Sequence, residues 1–151
     1  MNHEDSIEIA VDPEVAFDAI ADLPGMGRFS PENTGGRWVR GASGPALGAR
    51  FKGTNVQGKK EWSTTAKVAS FDRPRHFAFE ITVASLKIAR WEFEVEPTSE
   101  GSKVTERWTD RRSSFVKRFG AIEGIDDRDA YTRESIRSTL SALKVHLEQQ
   151  G

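Results

Sequence analysis

The sequence predicts an α+β domain over residues 1–151: a curved antiparallel sheet of about seven strands around one long C-terminal helix, with one or two short helices after the first strand. Three observations carry this expectation. From Arg37 to Arg112 apolar residues recur almost purely with period two, the spacing of strands with one buried face. From Asp126 to Gln149, Ile136, Leu140, Leu143 and Leu147 recur at steps of four, three and four, the period of a helix with one buried face. Between the first strand and this region, Asp12-Pro13 opens a helix, proline being favoured at the first helical position because its missing N–H has no partner there.

In chain order, Ser6 to Val11 alternates, with Ile7, Ile9 and Val11 on one face, and predicts the first strand. Val15, Ala16, Phe17, Ile20 and Leu23 form the stripe of the short helix, which Pro24-Gly25 ends. Met26 to Phe29 predicts one more turn, closed by Ser30-Pro31. Arg37 to Arg40 is a short strand around Trp38, followed by the loop Gly41 to Pro45. That loop is glycine-rich but lacks the Lys-Ser/Thr of a phosphate-binding loop. Arg50 to Asn55 places Phe51, Gly53 and Asn55 on one face, and Gln57-Gly58-Lys59 turns the chain. Glu61 to Phe71 places Trp62, Thr64, Ala66 and Val68 together before the turn Asp72-Arg73-Pro74. His76 to Val83 gathers Phe77, Phe79, Ile81 and Val83.

The clearest strand is Ala89 to Glu96, with Trp91, Phe93 and Val95 facing one way and Arg90, Glu92, Glu94 and Glu96 the other. Lys103 to Arg111 alternates as well. Pairing Val95 with Val104 sets Glu96 opposite Lys103 and Glu92 opposite Arg107, each such pair contributing roughly 0.2–1 kcal/mol. The same register sets Trp91 beside Trp108 and Phe93 beside Glu106. Leu86 and Ile88 have the wrong parity for Trp91, which predicts a bulge between them. Ser113 to Ile125 is a connection, with one helical turn around Phe115 to Phe119, and Asp126 or Asp127 caps the long helix. At a rise of 1.5 Å per residue that helix is roughly 35 Å long. Its second half carries the leucines. Carried back, its stripe meets Thr139, Ser135 and Thr132, with Tyr131 beside it, which predicts a cavity beneath the first half.

Composition bounds the function. Hydrophobic residues make up 36% and charged residues 30%, and the formal net charge is −1, so no basic excess argues for nucleic acid. With no cysteine there is no disulfide and no thiolate metal site, which fits a reducing compartment. No apolar run reaches a membrane span, and the polar, acidic stretch Met1 to Asp5 is unlike a signal peptide, so a cytoplasmic protein is expected.

His3, His76 and His146 are scattered without metal-ligand spacing, and the expectation is three solvated histidines and no metal or cofactor. No recognisable Ser-His-acid arrangement appears. Arg111-Arg112 with Lys117-Arg118 reads as a solvated rim rather than an anion site. The aromatic set Phe51, Trp62, Phe79, Trp91, Phe93 and Trp108, with Ile81, is either plain core or the wall of a ligand cavity. The small polar residues of the helix favour the cavity. Asn55, Thr64, Glu106 and Asp110 point the same way as the aromatics. They satisfy one another, water or an arginine such as Arg133 or Arg137, or they orient a ligand. Asp110, near a strand end, is expected to be wet, and Glu106 is the one candidate acid or base.

With these residues in place the chain resembles the START-like helix-grip superfamily, in its polyketide cyclase/dehydrase-like branch. The matching features are Asp12-Pro13 with Phe17, Phe29-Ser30-Pro31, Gly48 with Phe51, Gly53 and Asn55, Trp62, Val68, Phe77 to Glu80, Trp91, and Thr105-Glu106. The resemblance spans nearly the whole chain and implies a sheet gripping the last helix around an apolar cavity. Relatives bind lipids, hormones or polyketides, cyclise aromatic polyketides, or act on other proteins, and they share no catalytic motif to transfer.

Three functions follow as expectations. The first is binding of a small hydrophobic or aromatic molecule by Phe51, Asn55, Trp62, Thr64, Phe79, Ile81, Trp91, Phe93, Glu106, Trp108, Tyr131, Thr132, Ser135 and Thr139. The second is a cyclase- or dehydrase-like enzyme using Glu106. The third is a protein-interaction module with a vestigial cavity.

Overall fold

A computed structural model describes residues 2–30, 33–113 and 128–150. The strands are β1 (Asn2–Ile9), β2 (Asn33–Val39), β3 (Arg50–Gln57), β4 (Lys60–Asp72), β5 (His76–Val83), β6 (Leu86–Thr98) and β7 (Gly101–Asp110). A short helix α1 (Pro13–Ala21) and a 3-10 helix (Leu23–Arg28) follow β1, and a long helix α2 (Arg128–Gln150) follows β7. The strands form one antiparallel sheet in the order β1-β7-β6-β5-β4-β3-β2. Strands β2 to β7 are serial hairpins. The helical crossover carries the chain from β1 to the far edge, so first and last strands become neighbours. This is the helix-grip fold: α2 lies along one face of the sheet, chiefly over β1 and β7 and beside α1.

The leucine stripe of α2 is the centre of the core, with Ile136, Leu140, Leu143 and Leu147 all buried. Phe17 of α1 meets Phe71 and Phe77 edge-on, at centroid distances of 5.5 and 6.1 Å. The β6–β7 register is the one the charges require: Val95 faces Val104, Glu96 faces Lys103, and Glu92 faces Arg107. The bulge is also present. Ile81 pairs with Ala89 but Thr82 pairs with Lys87, so Ile88 is the extra residue, and Ile88 and Ala89 are both buried in succession.

Several boundaries differ from the expectation. β1 begins at Asn2 and ends at Ile9, because its whole length pairs with β7 through backbone bonds that do not depend on side-chain pattern. β2 begins at Asn33, before Gly35 and Gly36, whose lack of side chains erased the signal. Gly36 sits at φ +152, and a Cβ there would collide with the Lys52 carbonyl oxygen. α1 ends at Ala21, and Pro24-Gly25 lies inside the 3-10 helix rather than stopping a longer one. Val15 is exposed, off the buried stripe. Asp12 occupies the N-cap without a side-chain cap bond.

The histidines are not three solvated rings. His3 is buried and stacks on Trp108, with centroids 5.7 Å apart. His76 is held between Ser70 and Glu92, and His146 meets Phe29 edge-on. The turn expected around Phe115 to Phe119 and the caps Asp126 and Asp127 lie outside the described residues.

Candidate functional site

The change of side-chain size along α2 leaves a void. Leu140, Leu143 and Leu147 fill the space between helix and sheet, whereas Ser135 and Thr139 are too short to reach it. The result is a cavity of about 100 Å³. Alternation along the strands supplies the opposite wall. Asn55 comes from β3, Trp62 and Thr64 from β4, Phe79 and Ile81 from β5, Trp91 and Phe93 from β6, and Glu106 and Trp108 from β7.

All the expected ligand-binding residues line this cavity except Phe51, Tyr131 and Thr132. Phe51 is core: it lies beneath Gly36 and packs edge-on to Trp38 at 5.3 Å. Thr132 is fully buried on α2 outside the wall, and Tyr131 is half-buried beside it. The sequence reading missed Met26, Ser30, Asn33, Ile88, Ala89 and Arg112. Ile88 and Ala89 could have been found from the bulge, which turns two consecutive residues inward. Met26, Ser30 and Asn33 come from the crossover, whose placement against the sheet no local pattern announces.

Besides the hydroxyls of Ser30, Ser135 and Thr139, three sets of polar groups stand on the wall. On the β2–β4 side, Asn33 Nδ2 donates to Asn55 Oδ1 at 3.5 Å, and Asn55 Nδ2 donates to Thr64 Oγ1 at 3.1 Å. The Gly35 N–H donates to Asn33 Oδ1 at 2.8 Å and anchors the chain of amides. Thr64 accepts within this relay, which leaves its O–H to donate into the cavity. At the end of β7, Arg112 donates from Nε and Nη2 to the two carboxylate oxygens of Asp110, each at 3.0 Å. Asp110 is therefore not wet; its side chain is only 4% exposed, and Arg112 lines the cavity instead of a solvated rim. Lys117 and Arg118 lie outside the described residues.

The third set is Glu106 alone. It is buried opposite Phe93, and its Oε1 has no hydrogen-bond partner among the described residues. Arg133 and Arg137 do not reach it: both are exposed, and Arg137 lies 3.9 Å from Glu134. Without a cation, burial alone sets its protonation and pushes its pKa well above the ordinary carboxylate range. Burial thus favours the neutral form of the carboxyl, which can donate a hydrogen bond at the cavity wall. Among the described residues no group of three His, Asp or Glu side chains could hold a metal ion.

Fold and family come together in comparisons with known proteins. Among curated proteins none matches this chain. The Polyketide_cyc-like protein Cgl2372 of Corynebacterium glutamicum is 30% identical, with 99% of this chain covering 92% of that one at a TM-score of 0.68. Protein NE0264 of Nitrosomonas europaea shares the fold at 12% identity and a TM-score of 0.74, over 99% of this chain and 96% of that one. The di-domain ARO/CYC StfQ from the steffimycin biosynthetic pathway does so at 13% identity and 0.73, over 99% of this chain and 51% of that one. Residues 2–148 match the model of one family, and the chain belongs to it: polyketide cyclase / dehydrase and lipid transport.

Proposed function

We propose that this protein is a cytoplasmic binding protein for a small hydrophobic or aromatic molecule, held in the cavity between α2 and the sheet. Trp62, Trp91, Trp108 and Phe79 supply flat apolar surface, and Glu106, Thr64 and Asn55 orient the ligand. One observation carries the reading: Glu106 is a buried carboxyl on the wall of a cavity rich in aromatic rings, and one of its oxygens has no partner among the described residues. A buried polar atom without a partner costs about 1–3 kcal/mol, and a ligand carbonyl or hydroxyl removes that cost. No cofactor is needed for this role.

A second reading rests on the same carboxyl. A neutral acid beside a bound carbonyl compound can protonate it, and the ionised form can remove a proton α to it. That chemistry suits a cyclase- or dehydrase-like enzyme, and the family's description and the ARO/CYC name of StfQ support it.

Two measurements test the binding reading. Organic extract of the purified protein is analysed by mass spectrometry for a co-purifying small molecule. The neutral fluorophore N-phenyl-1-naphthylamine is then titrated into wild type and Ser135→Trp. Saturable binding that Ser135→Trp abolishes is the expected result. Binding that is unsaturable, or unchanged by the indole in the cavity, overturns the assignment.

A further inference from the structure

The outer face of the sheet is divided by charge. On β6 and β7, Arg90 meets Glu80 at 3.0 Å and Glu92 at 3.5 Å, and Arg107 meets Glu4 at 3.0 Å and Glu94 at 3.1 Å. The β2–β4 side is built differently. Phe51, Gly53 and Asn55 face inward, so Arg50 and Lys52 face outward, and so do their partners. Arg37 stands directly opposite Lys52, and Arg50 directly opposite Lys67. Two like-charged pairs thus share one patch. None of the four cations takes part in a hydrogen bond or ion pair among the described residues, and β2 and β3 contain no carboxylate. Glu80 lies across from Lys67 on β5, but its carboxylate is engaged by Arg90. Like charges directly opposed across strands destabilise a sheet.

We propose that this quartet is a docking surface for an acidic protein partner, whose carboxylates pair with Arg37, Lys52, Arg50 and Lys67. Charge complementarity selects that class. The patch holds four cations beside Glu80, Glu92 and Glu94 on the same sheet face. A bilayer or a duplex laid across the sheet would bring its anions against those carboxylates. A protein can set a few carboxylates on the quartet and none on its neighbours.

The test uses the full chain and a short fluorescein-labelled polyglutamate peptide, read by anisotropy at low salt. Wild type should bind, and binding should weaken as salt rises. Lys52→Glu turns a like-charged pair with Arg37 into an opposite one. It should melt at or above the wild-type temperature yet lose affinity by at least about tenfold. Arg133→Glu makes the same charge change at an exposed site on α2, which packs on the other face of the sheet, and should leave affinity within about twofold. Phosphatidylserine vesicles and a short DNA duplex should bind more weakly than the peptide. The proposal is overturned if the peptide does not bind, if Arg133→Glu weakens it as much as Lys52→Glu, or if vesicles or DNA bind the quartet more tightly.

Discussion

Glu106 stands directly opposite Phe93 in the β6–β7 register, so the carboxyl on the cavity wall has an aromatic ring where a counter-charge would otherwise sit. That pairing fixes the sign of its pH dependence. Its pKa in the folded state is raised, so the native protein holds a proton that the unfolded chain releases. The associated stability is fully present below the unfolded pKa and is lost as pH rises toward the folded one. Glu106→Gln removes this dependence while keeping shape and a donor. Urea melts should find the variant close to wild type near pH 4 and at least as stable above neutrality. A loss of several kcal/mol at every pH would mean that a buried cation had been left alone, and the functional role would be abandoned.

The grip of sheet on helix predicts a contrast along α2. Leu140→Ala and Leu143→Ala should each cost about 2–5 kcal/mol, because both side chains are buried in packed core. Glu134→Ala, exposed on the opposite side, should change stability by no more than roughly 0.5 kcal/mol. Equal effects in denaturant melts would contradict the packing.

Gly36 predicts a second contrast. Gly36→Ala places a methyl against the Lys52 carbonyl oxygen and 2.8 Å from Phe51 Cζ, and it should cost upwards of about 2 kcal/mol. Gly41→Ala, at φ +80 with nothing within 4 Å, carries only the backbone penalty of about 1 kcal/mol. Thermal melts of the two variants separate steric from conformational cost.

On the outer face, His76 Nε2 donates to Glu92 Oε2 at 2.9 Å while Ser70 Oγ lies 2.7 Å from Nδ1. Partial burial acts to raise the Glu92 pKa, but the His76 bond and the nearby Arg90 and Arg107 outweigh it and leave the carboxyl depressed. Its contribution is present above the unfolded pKa and lost as pH falls through the folded one. Glu92→Gln should cost about 1 kcal/mol near neutrality, since the group is partly solvated, and should flatten the acid limb of the stability profile. A variant whose acid limb matches wild type would rule the linkage out.

The sequence by itself determined the order of elements, the face each strand buries, the β6–β7 register and the presence of a bulge ahead of Trp91, which the pairing of β5 with β6 then places at Ile88. These follow from period, parity and cross-strand charge, all local properties of the chain. It also determined most of the cavity wall, because alternation alone turns Trp62, Trp91, Glu106 and Trp108 toward the helix. Tertiary structure decided the rest. His3 looked like part of a polar tail until β1 paired along the whole of β7 and laid its ring on Trp108. Arg112 looked like a solvated rim until Asp110 drew it to the cavity. Ser30 and Asn33 entered the site through the placement of the crossover. The choice between an ion-paired and an isolated Glu106 depended on which way Arg133 and Arg137 face around α2, and burial of one carboxyl among rings is a property of packed neighbours rather than of any stretch of sequence.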